Sequence, residues 1–414
     1  MSRVYYMLFI LLILSSCKKT EDIDNNILRL YGDALEDIGY GIAKTDDGFV
    51  ITGQLTEVAR IGTNVIDNPN SVKKMGIIKT SQNGDVVWQK KFGDQSVNTG
   101  SKSVVLEDGS VVCVGYAIDN LTLLKEIFIL KTDNQGNQVA QKTFKSRDGK
   151  SNQYGIDILK TSSGFIVLGA TDAEKAGTSD STGNVAGKKD ILVMKLDNNF
   201  AQIDSWAAGY PGNDEGVSIK PDIGGGYIVV ASTDRSDKPA TVQSMNNILL
   251  VKINTSGNFV QQRIIGGVAE ENAADIEVLS DGYLVVSTVG TEVSVQSGYV
   301  WKLAQNIFEA PVYEHPITSE SLSTTLSFRI NAVSRYKTTS FVMAGQVGTG
   351  TSARMLVFLT DGEGNLLPGK SVISGGTGSQ SVNDVISDDD GNIYAVGKNS
   401  YENNSMISLL KFRF

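Results

Sequence analysis

Few side chains in this sequence have a type and spacing that could do chemistry. The one histidine, His315, is followed by Pro316 in a segment expected to be a loop, so a Ser-His-Asp triad has a single base available and a His-rich transition-metal site is excluded. There is no Gly-x-Ser-x-Gly elbow and no phosphate-binding loop. Residues 348–353 have the glycine spacing of a dinucleotide fingerprint, but no helix is expected after them. The sequence offers no complete catalytic set.

Acidic and aromatic residues are the remaining candidates for a binding site. Seven acids fall in segments expected at one end of the molecule, where carboxylates could bind calcium, which takes six to eight oxygens. These acids are Asp33, Glu36, Asp37, Asp214, Glu215, Glu270 and Glu271. No segment has calcium-loop spacing, so no cofactor is predicted beyond a covalent lipid on Cys17, with calcium as the lesser alternative. Tyr116, Tyr210 and His315 are predicted to lie on the same face, the loop face, which carries the longer connections between strands, and to contact a ligand there.

The first seventeen residues predict export and lipid attachment. Arg3 precedes an apolar run of 11 residues, Val4 to Leu14, which has the length of a signal-peptide core and is too short to span a bilayer. Leu14-Ser15-Ser16-Cys17 resembles the bacterial lipobox, in which Cys17 would accept diacylglycerol and become the new N-terminus. The alternative is an ordinary secretory signal with an incidental cysteine.

The lipobox resemblance implies an outer-membrane lipoprotein that faces the periplasm or, slightly favoured, the cell surface. Residues 1–16 would be the signal peptide, residues 17–25 the lipidated cysteine with a flexible polar tether, and residues 26–414 the folded domain. Lys18 differs from the aspartate that sorting rules associate with the inner membrane. The acidic segment 21–24 resembles tethers of surface-exported lipoproteins.

Composition narrows the partners and the source of stability. The 46 acids outnumber the 37 Lys and Arg residues, giving a net charge of -9, so no basic field is present to hold nucleic acid. Apart from Cys17 the only cysteine is Cys113, which excludes an intrachain disulfide once Cys17 is acylated. Cys113 lies in the run Val-Val-Cys-Val and is predicted to be a small buried hydrophobe.

An internal repeat of about 57 residues organises the rest of the chain. A strand-like run ends in a small residue seven times, at Gly53, Gly115, Gly169, Ala231, Ser287, Gly345 and Gly397. A second apolar strand ends in a lysine, at Lys79, Lys131, Lys195, Lys252, Lys302 and Lys411, with Leu359 at the equivalent place. Short Gly-containing turns separate the strands, and no segment has sustained helical periodicity. Each repeat is therefore predicted to contain four strands.

Four-stranded units repeated seven times predict an all-β, seven-bladed β-propeller with antiparallel blades. The last repeat stops after its third strand at the C-terminus, whereas Ile27 to Gly32 resembles an outer strand followed by its glycine, such as Trp88 to Gly93. We therefore expect the N-terminal strand to complete the last blade and close the ring, which would also cover a sheet edge.

The repeat also resembles a family of bacterial β-propeller repeat proteins. Thr45-Asp46-Asp47-Gly48-Phe49 and the segment 131–137, Lys-Thr-Asp-Asn-Gln-Gly-Asn, match its turn motifs, and the resemblance covers residues 26–414. The fifth and sixth repeats depart from the pattern, because Gln305-Asn306-Ile307 lacks the turn glycine and residues 337–340 replace an Asp-Gly turn. The resemblance implies the fold, while activities within the family vary.

Three functional hypotheses follow. The leading one is a non-enzymatic outer-membrane lipoprotein that acts as a binding or scaffolding module in a cell-envelope protein complex. The alternative is a surface glycan-binding lipoprotein in nutrient uptake, which rests on the tyrosines of the loop face. The third is a carboxylate-dependent polysaccharide hydrolase or lyase, for which acids are plentiful but cannot be paired from the sequence.

Overall fold

A computed structural model describes residues 26–57, 60–61, 64–65, 72–95, 97–173, 189–210, 212–234, 246–266, 269–290, 297–401 and 404–414. The expected signal peptide, Cys17 and the tether lie outside these ranges. Within them the regular elements are β-strands and one short 3₁₀ helix (Gly350–Ser352), which confirms the all-β class. None of the described residues belongs to a helix long and apolar enough to cross a membrane.

The strands follow one another with short connections. In chain order they are β1 (Ile27–Leu35), β2 (Ile38–Lys44), β3 (Gly48–Glu57), β4 (Arg60–Ile61), β5 (Asn64–Val65), β6 (Val72–Ser81), β7 (Val86–Phe92), β8 (Val97–Val105), β9 (Val111–Ile118), β10 (Lys125–Thr132), β11 (Gln138–Phe144), β12 (Gln153–Thr161), β13 (Gly164–Thr171), β14 (Asp190–Asp197), β15 (Gln202–Ala208), β16 (Asp214–Pro221), β17 (Tyr227–Thr233), β18 (Asn247–Ile253), β19 (Phe259–Ile265), β20 (Glu271–Leu279), β21 (Gly282–Val289), β22 (Ser297–Ala304), β23 (Tyr313–Ile317), β24 (Phe328–Tyr336), β25 (Ser340–Val347), β26 (Arg354–Thr360), β27 (Leu366–Ser374), β28 (Gln380–Ser387), β29 (Ile393–Tyr401) and β30 (Asn404–Phe412).

The strands form antiparallel propeller blades, but not seven separate ones. Five blades have four strands each: β12 to β15, β16 to β19, β20 to β23, β24 to β27, and β28-β29-β30-β1. The remaining long strands share one eight-stranded sheet, β2-β3-β6 with β7, and β8 to β11. The prediction of seven separate four-stranded blades is therefore wrong.

The eight-stranded sheet has a local cause. The last paired residue of β7, Phe92, lies opposite Met75, so the first residues of β6 extend beyond it. Lys73 in this extension forms a parallel bridge with Val97 at the start of β8. A single bridge thus joins two groups of strands that the repeat pattern had separated.

The two ends of the chain pair as expected. β1 lies antiparallel to β30, with Ile27 opposite Lys411 and Tyr31 opposite Ile407, and a register shift follows Tyr31. Tyr31 is 5% exposed, and its hydroxyl donates a hydrogen bond of 2.7 Å to the Gly84 carbonyl oxygen in the β6–β7 turn. The strand β1, which completes the last blade, therefore also contacts the β6–β7 turn of the neighbouring sheet.

Aromatic side chains of the outer strands rest on turn glycines of the next group of strands. Trp88 of β7 contacts Gly136 and donates a hydrogen bond of 3.1 Å from Nε1 to the Asn134 carbonyl oxygen. Tyr31 makes the equivalent contact with Gly84, where φ is +78° and an added Cβ would lie 3.1 Å from the Tyr31 hydroxyl oxygen. The two contacts come from different strand positions, because Trp88 lies opposite Lys79 of β6 whereas Tyr31 lies opposite Ile407 of β30.

Hydrophobic clusters fill the spaces between neighbouring sheets. Ile407 and Leu409 of the C-terminal strand pack with Ile42 and Ile51 of the first strands, so the core continues across the closure. Cys113 is fully buried and free, as predicted, and burial raises the pKa of its thiol. In the described part of the chain, this hydrophobic packing between sheets stabilises the fold.

The repeated turns owe their shape to an aspartate. Asp133 Oδ1 accepts hydrogen bonds from the backbone N–H groups of Gln135 and Asn137, at 2.9 and 2.8 Å, and Gly136 adopts φ +80°. This geometry explains the Asp-x-x-Gly-Asn motif, because only glycine takes that φ without strain. In a different turn, between β24 and β25, where residues 337–340 replace an Asp-Gly turn, Lys337 adopts φ +53°.

Candidate functional site

Each innermost strand carries a β-bulge near its first residues. The extra residues are Tyr40, Ser101, Ile156, Val217, Ala274, Asn331 and Asn383. Several of them line cavities of the central channel. A bulge re-aims a side chain out of the regular alternation, which here directs residues of successive blades toward the axis.

The bulges also explain the small residue that ends each second strand. Gly115 lies opposite Gly100, and a Cβ on Gly115 would overlap the Thr99 carbonyl oxygen, which the bulge brings close. The same overlap would occur between Gly345 and the Arg329 carbonyl oxygen. The small residue that ends each second strand thus marks the place where the first two strands of a repeat form the wall of the central channel.

The position two residues before each bulged residue varies in type from repeat to repeat, as the bulged position itself does. Its occupants are Ile38, Thr99, Tyr154, Glu215, Asn272, Arg329 and Ser381. The strand β9 presents Tyr116 directly opposite Thr99. Hydroxyl, carboxylate, amide and guanidinium groups are thereby brought to one ring at the loop face.

A cavity of about 680 Å³ opens at this ring. Its walls come from β12, β16, β20 and β24 and their neighbours, and its polar lining residues are Glu215, Ser232, Asn246, Glu270, Asn272, Thr288, Arg329 and Asn331. The amide of Asn246 donates a hydrogen bond of 2.7 Å to Asn272 Oδ1, which in turn orients Asn272. We call this cavity the channel mouth.

A group of aromatic and charged side chains, which we call the tyrosine rim, adjoins the channel mouth through Glu215. It consists of Tyr116, Lys125, Tyr154, Lys189 and Glu215. The Tyr154 hydroxyl donates a short hydrogen bond to Glu215 Oε1, and Lys189 Nζ lies 2.8 Å from Glu215 Oε2. Lys125 Nζ lies 4.6 Å from the ring centroid of Tyr116 and 4.9 Å from that of Tyr154. The pKa of Tyr154 is raised far above its usual value, mainly by burial and secondly by the hydrogen bond to Glu215.

Tyr40 extends the aromatic side of the site. It is the bulged residue of β2, and burial, then its proximity to Tyr116 and Glu36, raise its pKa to about 12. Tyr40 and Tyr154 therefore stay neutral hydroxyl groups at physiological pH, able to donate and accept hydrogen bonds. The aromatic groups of the site thus lie beside the channel mouth, whose own lining is polar.

Deeper in the channel, charged side chains tie neighbouring inner strands together. Asp384 Oδ2 accepts a hydrogen bond of 2.9 Å from the Ile42 backbone N–H and lies 2.6 Å from Lys102 Nζ. Burial alone would lower the pKa of Lys102, but the carboxylates of Asp384, Asp157 and Asp275 outweigh burial and raise it. These groups line a cavity of about 280 Å³. These ion pairs and hydrogen bonds connect the innermost strands of neighbouring sheets to one another.

The structure places the three predicted contact residues in different settings. Tyr116 belongs to the tyrosine rim. Tyr210 follows β15, and its backbone N–H donates a hydrogen bond of 2.7 Å to Asp214 Oδ2 outside the channel mouth. The expected loop position of His315 is wrong, because His315 lies in the outer strand β23 opposite Val300, with its ring 4.9 Å from that of Tyr313.

The acids considered for calcium are bound by the protein's own donors. Asp37 accepts hydrogen bonds from the Thr56 and Asp33 backbone N–H groups at 2.6 and 2.7 Å, and Glu36 Oε2 lies 2.7 Å from Lys73 Nζ. Within the described ranges no three His, Cys, Asp or Glu side chains are grouped to hold a metal ion.

Sequence reasoning missed Tyr154, Lys125, Lys189, Asn272 and Arg329. For three of them a signal existed, because Tyr154, Asn272 and Arg329 occupy the repeat position just described, where residue type varies from copy to copy. Positions that build a repeat tend to keep one residue type, so variation at one of them indicates a function grafted on the scaffold. Lys125 and Lys189 begin or precede third strands and carried no such signal.

Comparison with known proteins supports the fold. No protein-family model matches the chain, and no curated protein does. Among solved structures, Raptor from Chaetomium thermophilum aligns with a TM-score of 0.52 at 10% identity, over 94% of this chain and 29% of that one.

Two enzyme structures align less closely. The GH93 α-L-arabinofuranosidase of Fusarium graminearum in complex with arabinobiose has a TM-score of 0.48 at 11% identity, over 94% of this chain and 97% of that one. A polysaccharide lyase of family PL25, an ulvan lyase, has a TM-score of 0.48 at 13% identity, over 78% of both chains. At such identities the likeness concerns the fold and transfers no activity.

Proposed function

We propose that this protein is a lipid-anchored binding protein of the cell envelope that holds an oligosaccharide in the channel mouth and releases it unchanged. The observation that carries the proposal is the cavity of about 680 Å³, which is lined by polar side chains from the inner strands of neighbouring blades. Its volume lies within the range of about 300–1,000 Å³ usual for small-molecule sites. Of the hypotheses drawn from the sequence, this is the glycan-binding one.

The lining chemistry suits a ligand rich in hydroxyl groups. Glu270 and Glu215 can accept hydrogen bonds from vicinal hydroxyls, while Asn272 and Asn331 can both donate and accept. Inter-residue bonds such as that from Asn246 to Asn272 pre-orient these groups and reduce the entropy lost on binding. Polar side chains on rigid strands therefore support selective recognition of a sugar.

The chain end supports an orientation for the anchored protein. Arg29 of β1 lies 3.1 Å from Asp85 in the short β6–β7 turn, whereas Leu35 at the other end of β1 lies opposite Ser405. The tether from Cys17 would thus join the domain on the face with the short turns. The channel mouth would then point away from the membrane.

Glycan-array screening of the full chain in mild detergent, followed by calorimetry, tests the proposal. We expect a retained oligosaccharide whose affinity falls about tenfold in Glu270→Gln and in Arg329→Gln. Glu107→Gln, in an exposed turn on the opposite face, is the matched control and should bind normally. If no glycan is retained, the proposal is wrong. If sugar is cleaved and cleavage depends on Glu215 or Glu270, the protein is an enzyme.

A protein partner in an envelope complex is the second candidate. Leu121 and Leu123 are 93% and 73% exposed on the β9–β10 loop, although large apolar side chains are usually covered. Asp119 fixes this loop by accepting hydrogen bonds of 2.8 and 2.9 Å from the Leu121 and Thr122 N–H groups. Affinity capture from native membranes with wild type and with a Leu121→Ser, Leu123→Ser variant tests it: a partner lost only in the variant is the expected result, and equal recovery would contradict a docking role.

A further inference from the structure

Lys125 is a cation whose charge no carboxylate of the described residues balances. Its ammonium nitrogen lies over two aromatic rings, 4.6 Å from the centroid of Tyr116 and 4.9 Å from that of Tyr154. No carboxylate oxygen in the described ranges lies within 4 Å of this nitrogen. Contact with two rings restricts the side chain to one position and displaces part of its water. A held, partly dehydrated ammonium is well placed to receive an anion.

The two acids near Tyr154, Glu215 and Asp172, are held by described groups other than Lys125, although Asp172 Oδ1 is buried without a hydrogen-bond partner among the described residues. Glu215 accepts the Tyr154 hydroxyl on one oxygen and the Lys189 ammonium on the other. Asp172 Oδ2 accepts a hydrogen bond of 2.8 Å from the Asn152 amide. Among the described residues, Lys125 is thus the lysine of the tyrosine rim whose ammonium group forms no ion pair, whereas Lys189 pairs with Glu215.

We propose that Lys125 binds an anionic group, a carboxylate or a sulfate ester, on an acidic glycan whose neighbouring sugar residues occupy the channel mouth. This inference rests on the proposed function and adds the class of sugar. The tyrosine rim meets the channel mouth at Glu215, so one ligand can span both. Because Lys189 neutralises Glu215, the shared residue does not repel an anion at Lys125.

Matched acidic and neutral ligands test this assignment on the full chain in mild detergent. The probes are oligosaccharides from pectin, alginate and glucuronoxylan, each beside its carboxyl-reduced form, and sulfated galactan oligosaccharides beside the desulfated form. We expect at least one acidic form to bind about tenfold more tightly than its neutral partner, with weaker binding as salt is raised. Preference among the carboxylated or the sulfated probes identifies the anion.

Three variants connect the preference to Lys125. Lys125→Met keeps an apolar stem against the tyrosines but removes the charge, and should reduce binding of the acidic form to that of the neutral form. Lys125→Arg should retain the preference. Lys131→Met, at the other end of the same strand β10, is the control for loss of one lysine and should behave as wild type. Melting temperatures of the variants establish that each is folded.

The outcomes separate this inference from the proposed function. If neutral and acidic forms bind equally, or if Lys125→Met leaves the acidic preference intact, the inference is wrong while glycan binding stands. If polyglutamate competes as well as the acidic glycan, Lys125 belongs to a general anion patch and the assignment to a sugar is overturned. If the wild-type chain retains none of the probes, neutral or acidic, while the glycan array shows another sugar, only the acidic class is refuted.

Discussion

Replacing Tyr31 by alanine should weaken the closure of the ring more than any neighbouring change in β1. Tyr31 is 5% exposed, lies in the cluster with Ile407 and Leu409, and bonds to the Gly84 carbonyl oxygen at 2.7 Å. Truncation of a buried aromatic side chain costs about 3–5 kcal/mol, and the lost hydrogen bond is part of that cost. Since the free energy of unfolding of a domain is about 5–15 kcal/mol, Tyr31→Ala should remove a large part of it.

Urea unfolding of the full chain in mild detergent measures this effect. Tyr31→Phe keeps the ring and should cost only about 1 kcal/mol. Leu30→Ala is the control, because Leu30 is adjacent on the same strand but 45% exposed, and it should cost less than 1 kcal/mol. A Tyr31→Ala protein that unfolds within 1 kcal/mol of Leu30→Ala would refute the view that β1 locks the ring through its buried face.

Three further changes test separate parts of the account. Cys17→Ala should release the protein from membranes, because stable anchoring needs the attached acyl chains, and a mutant still in the membrane fraction after a salt wash would contradict lipidation there. Burial raises the pKa of Asp214 to about 6. Because this folded pKa lies above the unfolded value, its contribution to stability is full below about pH 4 and is lost, by about 3 kcal/mol, as pH rises through 6. In Asp214→Asn the free energy of unfolding should therefore no longer fall through this group between about pH 4 and pH 6, and a pH dependence like that of the wild type would argue against this. Gly115→Ala should lower the melting temperature by several degrees because its Cβ overlaps the Thr99 carbonyl oxygen, and an unchanged melting temperature would mean that the bulge yields.

The repeat could be predicted from the sequence because its signals are local. An aspartate and a glycine at fixed spacing form the same turn wherever they occur, as Asp133 and Gly136 do, and alternating apolar residues mark the strands around it. The pairing of the chain ends followed from the incomplete last repeat. Strand alternation places Leu28 and Leu30 on the same face of β1, but which face is buried depends on the partner sheet, and both are nearly half exposed.

The separation of the blades and the composition of the site could not be predicted in the same way. The bridge between Lys73 and Val97 depends on how far β6 extends beyond β7, which no local pattern specifies. Likewise, a bulge adds one residue to a strand without a distinctive sequence, so the side chains that face the channel cannot be assigned from alternation alone. Lys125 of β10 and Tyr154 of β12 come together because their two sheets pack against each other.

A crystal structure of the chain with a bound oligosaccharide, selected from the glycan array, tests the central claim most directly. The account predicts a sugar in the channel mouth within hydrogen-bond reach of Glu270 and Asn272, with an anionic group near Lys125. A sugar bound only on the outer strands, with the channel mouth filled by water, would contradict it.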